Sequence, residues 1–495
     1  MIRASLGASL LVLLPVACSS SEASSANAPS PDGGALEADA SGDASLPIAA
    51  PAFKSGSRLK LLVRRAGDAF QVTGLKDAQR DEFCNVRKAT DGEMRCLPTN
   101  TTQEIVFTDA SCKSPVARTQ YIPPKCNLGA LAPSIVSTVA LRADPGSDVC
   151  GTRATTVFAV GSPIATPASV FFLSEEGVCT AVAPGSGTFS ALGAEIPPAS
   201  FVKVTTADEA RGTELKARFV VSDDGLRQLQ SVRDNKHDVA CRPDRTASGT
   251  RCLPTERADV LPNIFADATC TTNAAVTFAC TAKYVAARKL RDTCDLQGET
   301  SLFTVGAVVA SPFSGGGGSA CTAYASPTPV VGIGAPVSEQ EFPSVDRVLA
   351  GTGPVRTVEW QSGGQTVARD ESFVTAEGEL CFPQLLGGSA RCAPPTRLFL
   401  DDTGRAGDAF ADAACTVRLA TAEACETLAF ITMASGVECS GTRVFARGAK
   451  HTGPIYTLDA GKACVGAAAE ATKAYYALGA ELPASTFAEV TSGEL

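Results

Sequence analysis

The sequence Cys84-Asn-Val-Arg-Lys-Ala-Thr-Asp-Gly-Glu-Met-Arg-Cys96-Leu-Pro-Thr99 occurs three times in this chain, in diverging form. It returns as Cys241-Arg-Pro-Asp-Arg-Thr-Ala-Ser-Gly-Thr-Arg-Cys252-Leu-Pro-Thr255, and again as Cys381-Phe-Pro-Gln-Leu-Leu-Gly-Gly-Ser-Ala-Arg-Cys392-Ala-Pro-Pro-Thr396. Each box opens a set of six cysteines. The first set is Cys84, Cys96, Cys112, Cys126, Cys150 and Cys179. The second is Cys241, Cys252, Cys270, Cys280, Cys294 and Cys321, and the third Cys381, Cys392, Cys415, Cys425, Cys439 and Cys464. Even spacing of the sets implies one structural unit used three times, with length changes confined to loops.

Two further landmarks keep the register. Phe107-Thr-Asp-Ala-Ser-Cys112 matches Phe265-Ala-Asp-Ala-Thr-Cys270 and Phe410-Ala-Asp-Ala-Ala-Cys415. Near the end of each unit, Leu192-Gly-Ala-Glu-Ile-Pro-Pro-Ala-Ser-Phe201 matches Leu478-Gly-Ala-Glu-Leu-Pro-Ala-Ser-Thr-Phe487, with a looser copy ending at Phe342. Between landmarks the local signal is β: runs such as Leu215-Lys-Ala-Arg-Phe-Val-Val221 stop at turns such as Ser222-Asp-Asp-Gly225. Turn spacing gives about eight short strands per repeat, in two groups of four. The expected fold is therefore all-β, with three tandem six-cysteine repeats. A six-bladed β-propeller fits that strand count. The alternative is three disulfide-stapled β domains in a row, since each unit is long enough for its own core.

The cysteines also set the compartment. None of the nineteen lies in a Cys-x-x-Cys pair, and the shortest gap is ten positions, so neither a zinc ribbon nor a redox pair is indicated. Disulfides in an oxidising compartment are the remaining reading. Six cysteines allow fifteen pairings. Nearest-neighbour pairing within each set closes short loops and suits hairpins, although the Gly turn of each box lies nearer its second cysteine. Each bridge contributes about 2–4 kcal/mol.

The N-terminus agrees with export. A basic Met1-Ile-Arg3 precedes the apolar run Leu10-Leu-Val-Leu-Leu-Pro-Val-Ala17, which is too short to span a bilayer. Cys18 and three serines follow, as at the lipidation site of bacterial lipoproteins, with Pro15 in the place of the usual Leu. Without Cys18, eighteen cysteines remain and divide into the three sets. The chain thus divides into a lipoprotein signal peptide (1–17), a disordered Ser/Ala/Pro-rich tether (18–54) and β repeats at 55–207, 208–349 and 350–495.

Chemistry-bearing candidates are few. A net charge of −9 leaves no basic surplus for nucleic acid. His237 and His451 stand at unmatched places and read as surface residues. No Gly-x-Ser-x-Gly elbow or His-Glu-x-x-His is present, and Gly315-Gly-Gly-Gly318 lacks the Lys-Ser/Thr of a phosphate loop. The repeated Asp109, Asp267 and Asp412 offer one carboxylate each, which suits a turn cap rather than a calcium site. The repeated Arg95, Arg251 and Arg391 suit a salt bridge or a packed stem. No catalytic residue, metal or cofactor is assigned.

Signal peptide, lipidation cysteine, low-complexity tether and boxes of the Asp-Gly-x-x-Arg-Cys-Leu-Pro type together resemble the cysteine-rich repeat cell-surface lipoproteins of myxobacterial-type Gram-negative bacteria. That resemblance implies an outer-membrane protein held by its lipid, periplasmic or exposed at the cell surface. The expected function is non-catalytic: binding, adhesion or envelope structure, with the membrane as one partner and a glycan or protein as another. A secreted hydrolase on a propeller scaffold is the alternative.

Overall fold

The computed structural model describes residues 52–99, 103–119, 139–143, 154–173, 178–185, 187–277, 282–290, 298–316, 319–325, 329–395, 398–400, 408–426, 429–435 and 442–495. These residues are strand, turn and single 3-10 turns, so the all-β expectation holds. The sheets are of two kinds. Three hub sheets share one strand order, and an outer sheet follows each of them in the chain.

In the first hub sheet the order is Thr491–Glu494, Leu59–Ala66, Ala69–Asp77, Glu82–Lys88, Met94–Pro98. The second runs Val204–Arg211, Leu215–Ser222, Arg227–Asp234, Val239–Thr246, Gly249–Pro254, and the third Asp346–Ala350, Val355–Ser362, Gln365–Thr375, Leu380–Leu386, Ser389–Ala393. Each is an antiparallel meander whose inner strands alternate apolar and polar, as in Leu59, Leu61 and Val63 of the first, all buried. Val204–Arg211 and Asp346–Ala350 each run across a boundary between proposed repeats. The matching strand of the first sheet comes from the far end of the chain: Arg65 pairs with Thr491 and Leu62 with Glu494, so the three repeats close on themselves.

The hub sheets pack on one another pairwise. Leu59, Leu61 and Leu75 of the first meet Val204, Val220 and Leu226 of the second. Ala66 and Ala69 of the first meet Val355 and Phe373 of the third, and Leu215 and Val232 of the second meet Val367 of the third. The strand Phe53–Lys54 adds to the second sheet beside Gln228 and Arg227. Its Phe53 ring sits edge-on to Phe70 of the first sheet, 5.6 Å away, and Arg369 of the third lies over both rings. Phe53 and Lys54, at the end of the stretch expected to be a tether, are thus paired with the hub, because Phe53 is a large apolar side chain that packs against its core.

Sheet sizes do not make six four-stranded blades. The hub sheets have five strands, or six with Phe53–Lys54, and the first two outer sheets seven each; the third outer region splits into five- and three-stranded sheets. The count from turn signals goes astray because the outer sheets recruit strands from distant parts of their repeat. In the first, Thr188–Glu195 lies between Pro115–Thr119 and Thr155–Ile164. Propeller closure is thus absent from the described architecture, whereas closure of the hub is present.

Six disulfides join described residues. Cys84–Cys96, Cys241–Cys252 and Cys381–Cys392 each bridge the last two strands of a hub sheet, with Cα atoms 5.2, 5.2 and 5.1 Å apart. Cys112–Cys179, Cys270–Cys321 and Cys415–Cys464 join the third cysteine to the sixth. Nearest-neighbour pairing is thus right for the first two cysteines and wrong for the third and sixth. The physical reason is a hairpin that folds back: Phe171, Phe313 and Tyr456 pair with Phe107, Phe265 and Phe410, and carry the sixth cysteine onto the turn that holds the third. Cys425 is also disulfide-bonded. Cys18, Cys126, Cys150, Cys280, Cys294 and Cys439 lie outside the described residues, as do the stretch 1–17 expected to be a signal peptide and nearly all of the expected tether.

Candidate functional site

The sequence landmarks converge at three equivalent joints, one between each hub sheet and the outer sheet of the same repeat. In the first, Leu97 and Ala89 of the hub pack with Val157 of the outer sheet and with Phe201. Leu253, Leu302 and Phe342 form the second, and Leu386, Ala393, Val444 and Phe487 the third. Each Phe follows a 3-10 turn, and the chain beyond it runs along the last hub strand: the N–H groups of Cys96, Cys252 and Cys392 donate to the carbonyls of Val202, Pro343 and Ala488.

The repeated arginines complete the joints. Arg95, Arg251 and Arg391 donate from Nη1 to the carbonyls of Phe201, Phe342 and Phe487, at 2.7, 3.1 and 2.8 Å. Their shared role is therefore to tie the box to the terminal Phe, which single-sequence spacing could not reveal because the partners lie about a hundred residues apart. The repeated aspartates are turn caps. Asp109 accepts from the N–H groups of Ser111, Lys113 and Ser114, Asp267 from those of Thr269, Thr271 and Thr272, and Asp412 from those of Thr416 and Val417. The hydroxyls of Ser111, Thr269 and Thr416, followed by these N–H groups, hold all three carboxyls below the usual carboxylate range. Each cap places the following cysteine in the left-handed region, at φ 51°, 52° and 51°. That aims Cys112, Cys270 and Cys415 at their partners, whose Sγ atoms lie 3.8–3.9 Å from the aspartate carbonyls.

On this common frame the joints differ. In the first, Arg80 stacks over Phe201 at 4.9 Å. The residue at that position in the second joint is His237, whose ring stacks on Phe342 with centroids 4.6 Å apart. His237 is not the surface residue its isolated position suggests: its side chain is 14% exposed, and Nδ1 lies 2.6 Å from the Asp234 carboxylate, which is fully buried. Tyr284 stands edge-on to Phe342, and burial beside Asp234 and Glu341 pushes its phenol up. The matching of Asp77 with Asp234 and of Arg80 with His237, three residues on, is a signal that repeat alignment could have supplied. His451 hydrogen-bonds locally, with Nε2 2.9 Å from the Pro454 carbonyl.

The third joint holds a cleft of about 400 Å³, floored by Leu386, Val444, Leu482, Pro483 and Ala484. At its rim Arg443 and Glu481 form a two-pronged ion pair, both about half exposed, and Arg443 holds the Glu481 carboxyl below its ordinary range. The cleft is shallow and open to solvent, mostly apolar with a charged rim. Among the described residues, no group of three or more His, Cys, Asp or Glu side chains is placed to hold a metal ion, and no helix is long and apolar enough to cross a membrane.

No curated protein and no solved structure matches the chain. A family model, DUF7481, described as a family of unknown function, matches residues 38–487, so the chain belongs to that family.

Proposed function

We propose that this disulfide-rich β protein is a non-catalytic binding or adhesion protein of the cell envelope, anchored in the outer membrane by lipid on Cys18. One observation carries the reading. The polar side chains that recur in all three repeats tie the scaffold together, as with Arg95, Arg251 and Arg391 on the terminal Phe carbonyls. Variation is left to the joints, where a recognition surface can differ without disturbing the frame. The abundance of disulfides supports an oxidising, extracytoplasmic location.

The test is a pair of screens on the purified full chain. Binding to an immobilised glycan or envelope-protein panel, with no turnover of ester, peptide and glycoside substrates, is the expected result. Turnover abolished by a single side-chain substitution would overturn it. Mass spectrometry of the mature N-terminus tests the anchor separately: a lipidated Cys18 is expected, and an unmodified N-terminus further downstream would remove the anchor from the proposal.

The second reading is a secreted hydrolase on the same scaffold, and the Asp234–His237 pair favours it. A buried carboxylate that fixes an imidazole through Nδ1 leaves Nε2, here 4.0 Å from the Glu341 carboxylate, as the nitrogen for proton transfer. Its test is His237→Gln, which would abolish any turnover found in the screen.

A further inference from the structure

An edge strand invites pairing with another chain, and several edges of this protein are guarded by charge. Val204–Arg211, at the edge of the second hub sheet, carries Asp208, Glu209 and Arg211. Asp346–Ala350 of the third carries Asp346 and Arg347, and Val139–Ala143, an edge of the first outer sheet, carries Arg142. The other edge of that outer sheet is Cys179–Val182, the strand of the sixth cysteine. It has no charged side chain and no proline, and among the described residues only Val170–Leu173 pairs with it.

Its outward face is apolar and reads the same in both directions. With side chains alternating at a period of two, Val178, Thr180 and Val182 share one face, and Phe172 stands opposite Thr180 on the neighbouring strand. Val178 is 58% exposed, Phe172 42% and Val182 36%. The other face is used internally: Cys179 is bonded to Cys112, and Phe171 and Leu173 pack against the cluster of Ile105, Phe107 and Ala117. The sister hairpins have smaller side chains along the stripe. Ser314 and Thr457 stand where Phe172 stands, each opposite the residue after its sixth cysteine, and Ala320 and Ala463 stand where Val178 stands.

We infer that two copies of this chain pair through Cys179–Val182, antiparallel about a twofold axis at Thr180. Thr180 then faces its own copy, and Val178 faces Val182 of the second copy, so the order Val-x-Thr-x-Val is self-complementary. The Phe172 rings line both sides of this seam. Charge argues for the same occupant. Each copy carries a net charge of −9, and two copies approach with least repulsion at an uncharged edge. The contact is narrow, so the dimer is weak and depends on concentration. The inference stands apart from the reading as a binding protein, since the seam needs no ligand.

The experiment is sedimentation velocity across a dilution series of the full chain carrying Cys18→Ser, so that no lipid there can associate the copies. A monomer–dimer equilibrium is expected. Thr180→Lys and Thr180→Glu each set like charges face to face and should weaken the dimer by about tenfold or more. Mixing these two variants should restore it, because unlike charges then meet. Phe172→Ser, which installs the residue of the second repeat, should also weaken it with the thermal midpoint kept. Val465→Lys, on the matching strand of the third repeat, should leave it unchanged. A monomer at every concentration, a dimer that survives both Thr180→Lys and Phe172→Ser, a mixture that fails to pair, or equal loss in Val465→Lys would overturn the inference. So would a chain that stays monomeric yet binds phosphatidylethanolamine–phosphatidylglycerol vesicles through Phe172, which would assign the stripe to a lipid surface.

Discussion

Hub and outer sheets carry the same cysteine staples, yet they have diverged to different degrees. All three hub sheets keep one strand order, and the first two outer sheets also share one, but the second outer sheet adds a parallel pairing of Arg257–Phe265 with Tyr284–Lys289 and the third is split in two. The difference follows from packing. A hub sheet touches both of its sisters through buried side chains, so a register shift in one would disturb two interfaces. An outer sheet is constrained mainly at its joint and can drift elsewhere. Recognition is therefore to be sought at the joints and outer sheets, and stability in the hub.

The sharpest way to break this comparison is to cut a core side chain in each region. Phe373, fully buried between the third and first hub sheets, should cost about 3–5 kcal/mol as Phe373→Ala. The partly buried Phe171 of the first outer sheet should cost about half as much, and equal losses in denaturant unfolding would refute the division.

Removing staples should reverse the order of the two regions. Cys270→Ala with Cys321→Ala opens a loop of 51 residues and should cost about 4 kcal/mol. Cys241→Ala with Cys252→Ala opens one of 11 residues and should cost about 3 kcal/mol. If the hub pair proves the costlier, native packing outweighs chain entropy there.

A smaller effect is expected at the hub junctions. Asp224, in the turn of the second sheet, accepts from the N–H groups of Arg58 and Leu59 at the start of the first, at 2.8 and 2.7 Å. Asp68, in the turn of the first, accepts from Thr352 and Gly353 at the start of the third. The corresponding turn of the third sheet is Gly363-Gly364, which has no carboxylate to offer. Asp224→Ala should therefore cost about 1 kcal/mol, allowing for its partial exposure, and Asp68→Ala less. Thermal melts of the two variants would sharpen the order.

The gentlest probe is acid. Asp109, Asp267 and Asp412 have folded-state pKa values held below the unfolded value of about 3.9. Their contribution is full above that value and is lost as pH falls through the folded values, so stability should decline below about pH 4. Replacing all three by Asn should flatten that decline, and an unchanged acid limb would count against the caps.

Local features of this fold were legible in the sequence and distant pairings were not. The cysteine register, the all-β character and the capping role of Asp109 follow from nearby residues. The partner of Cys112 does not, because it depends on which hairpin returns beside Phe107. The closing strand Thr491–Glu494 has little β preference and only exposed side chains, so its place is set by main-chain pairing with Leu62–Arg65, joined by an ion pair from Glu494 to Lys76. At the second joint, His237 carries no signal by itself. It becomes informative only when Arg80 shows what that position does in a sister repeat.

The Asp-capped turns also have a bearing on the order in which the chain oxidises. Cys84 and Cys96 are 12 residues apart on neighbouring strands, so their encounter needs only a local reversal. Cys112 must wait for Cys179, 67 residues later. Asp109 binds only N–H groups and a hydroxyl within five residues of itself, so this turn can form before any distant strand arrives. A turn formed that early would hold the waiting thiol in a fixed orientation. The carboxylate that caps the turn is thereby expected to guide oxidation, and Asp109→Ala should raise the share of mispaired Cys112 on oxidative refolding, read by peptide mapping.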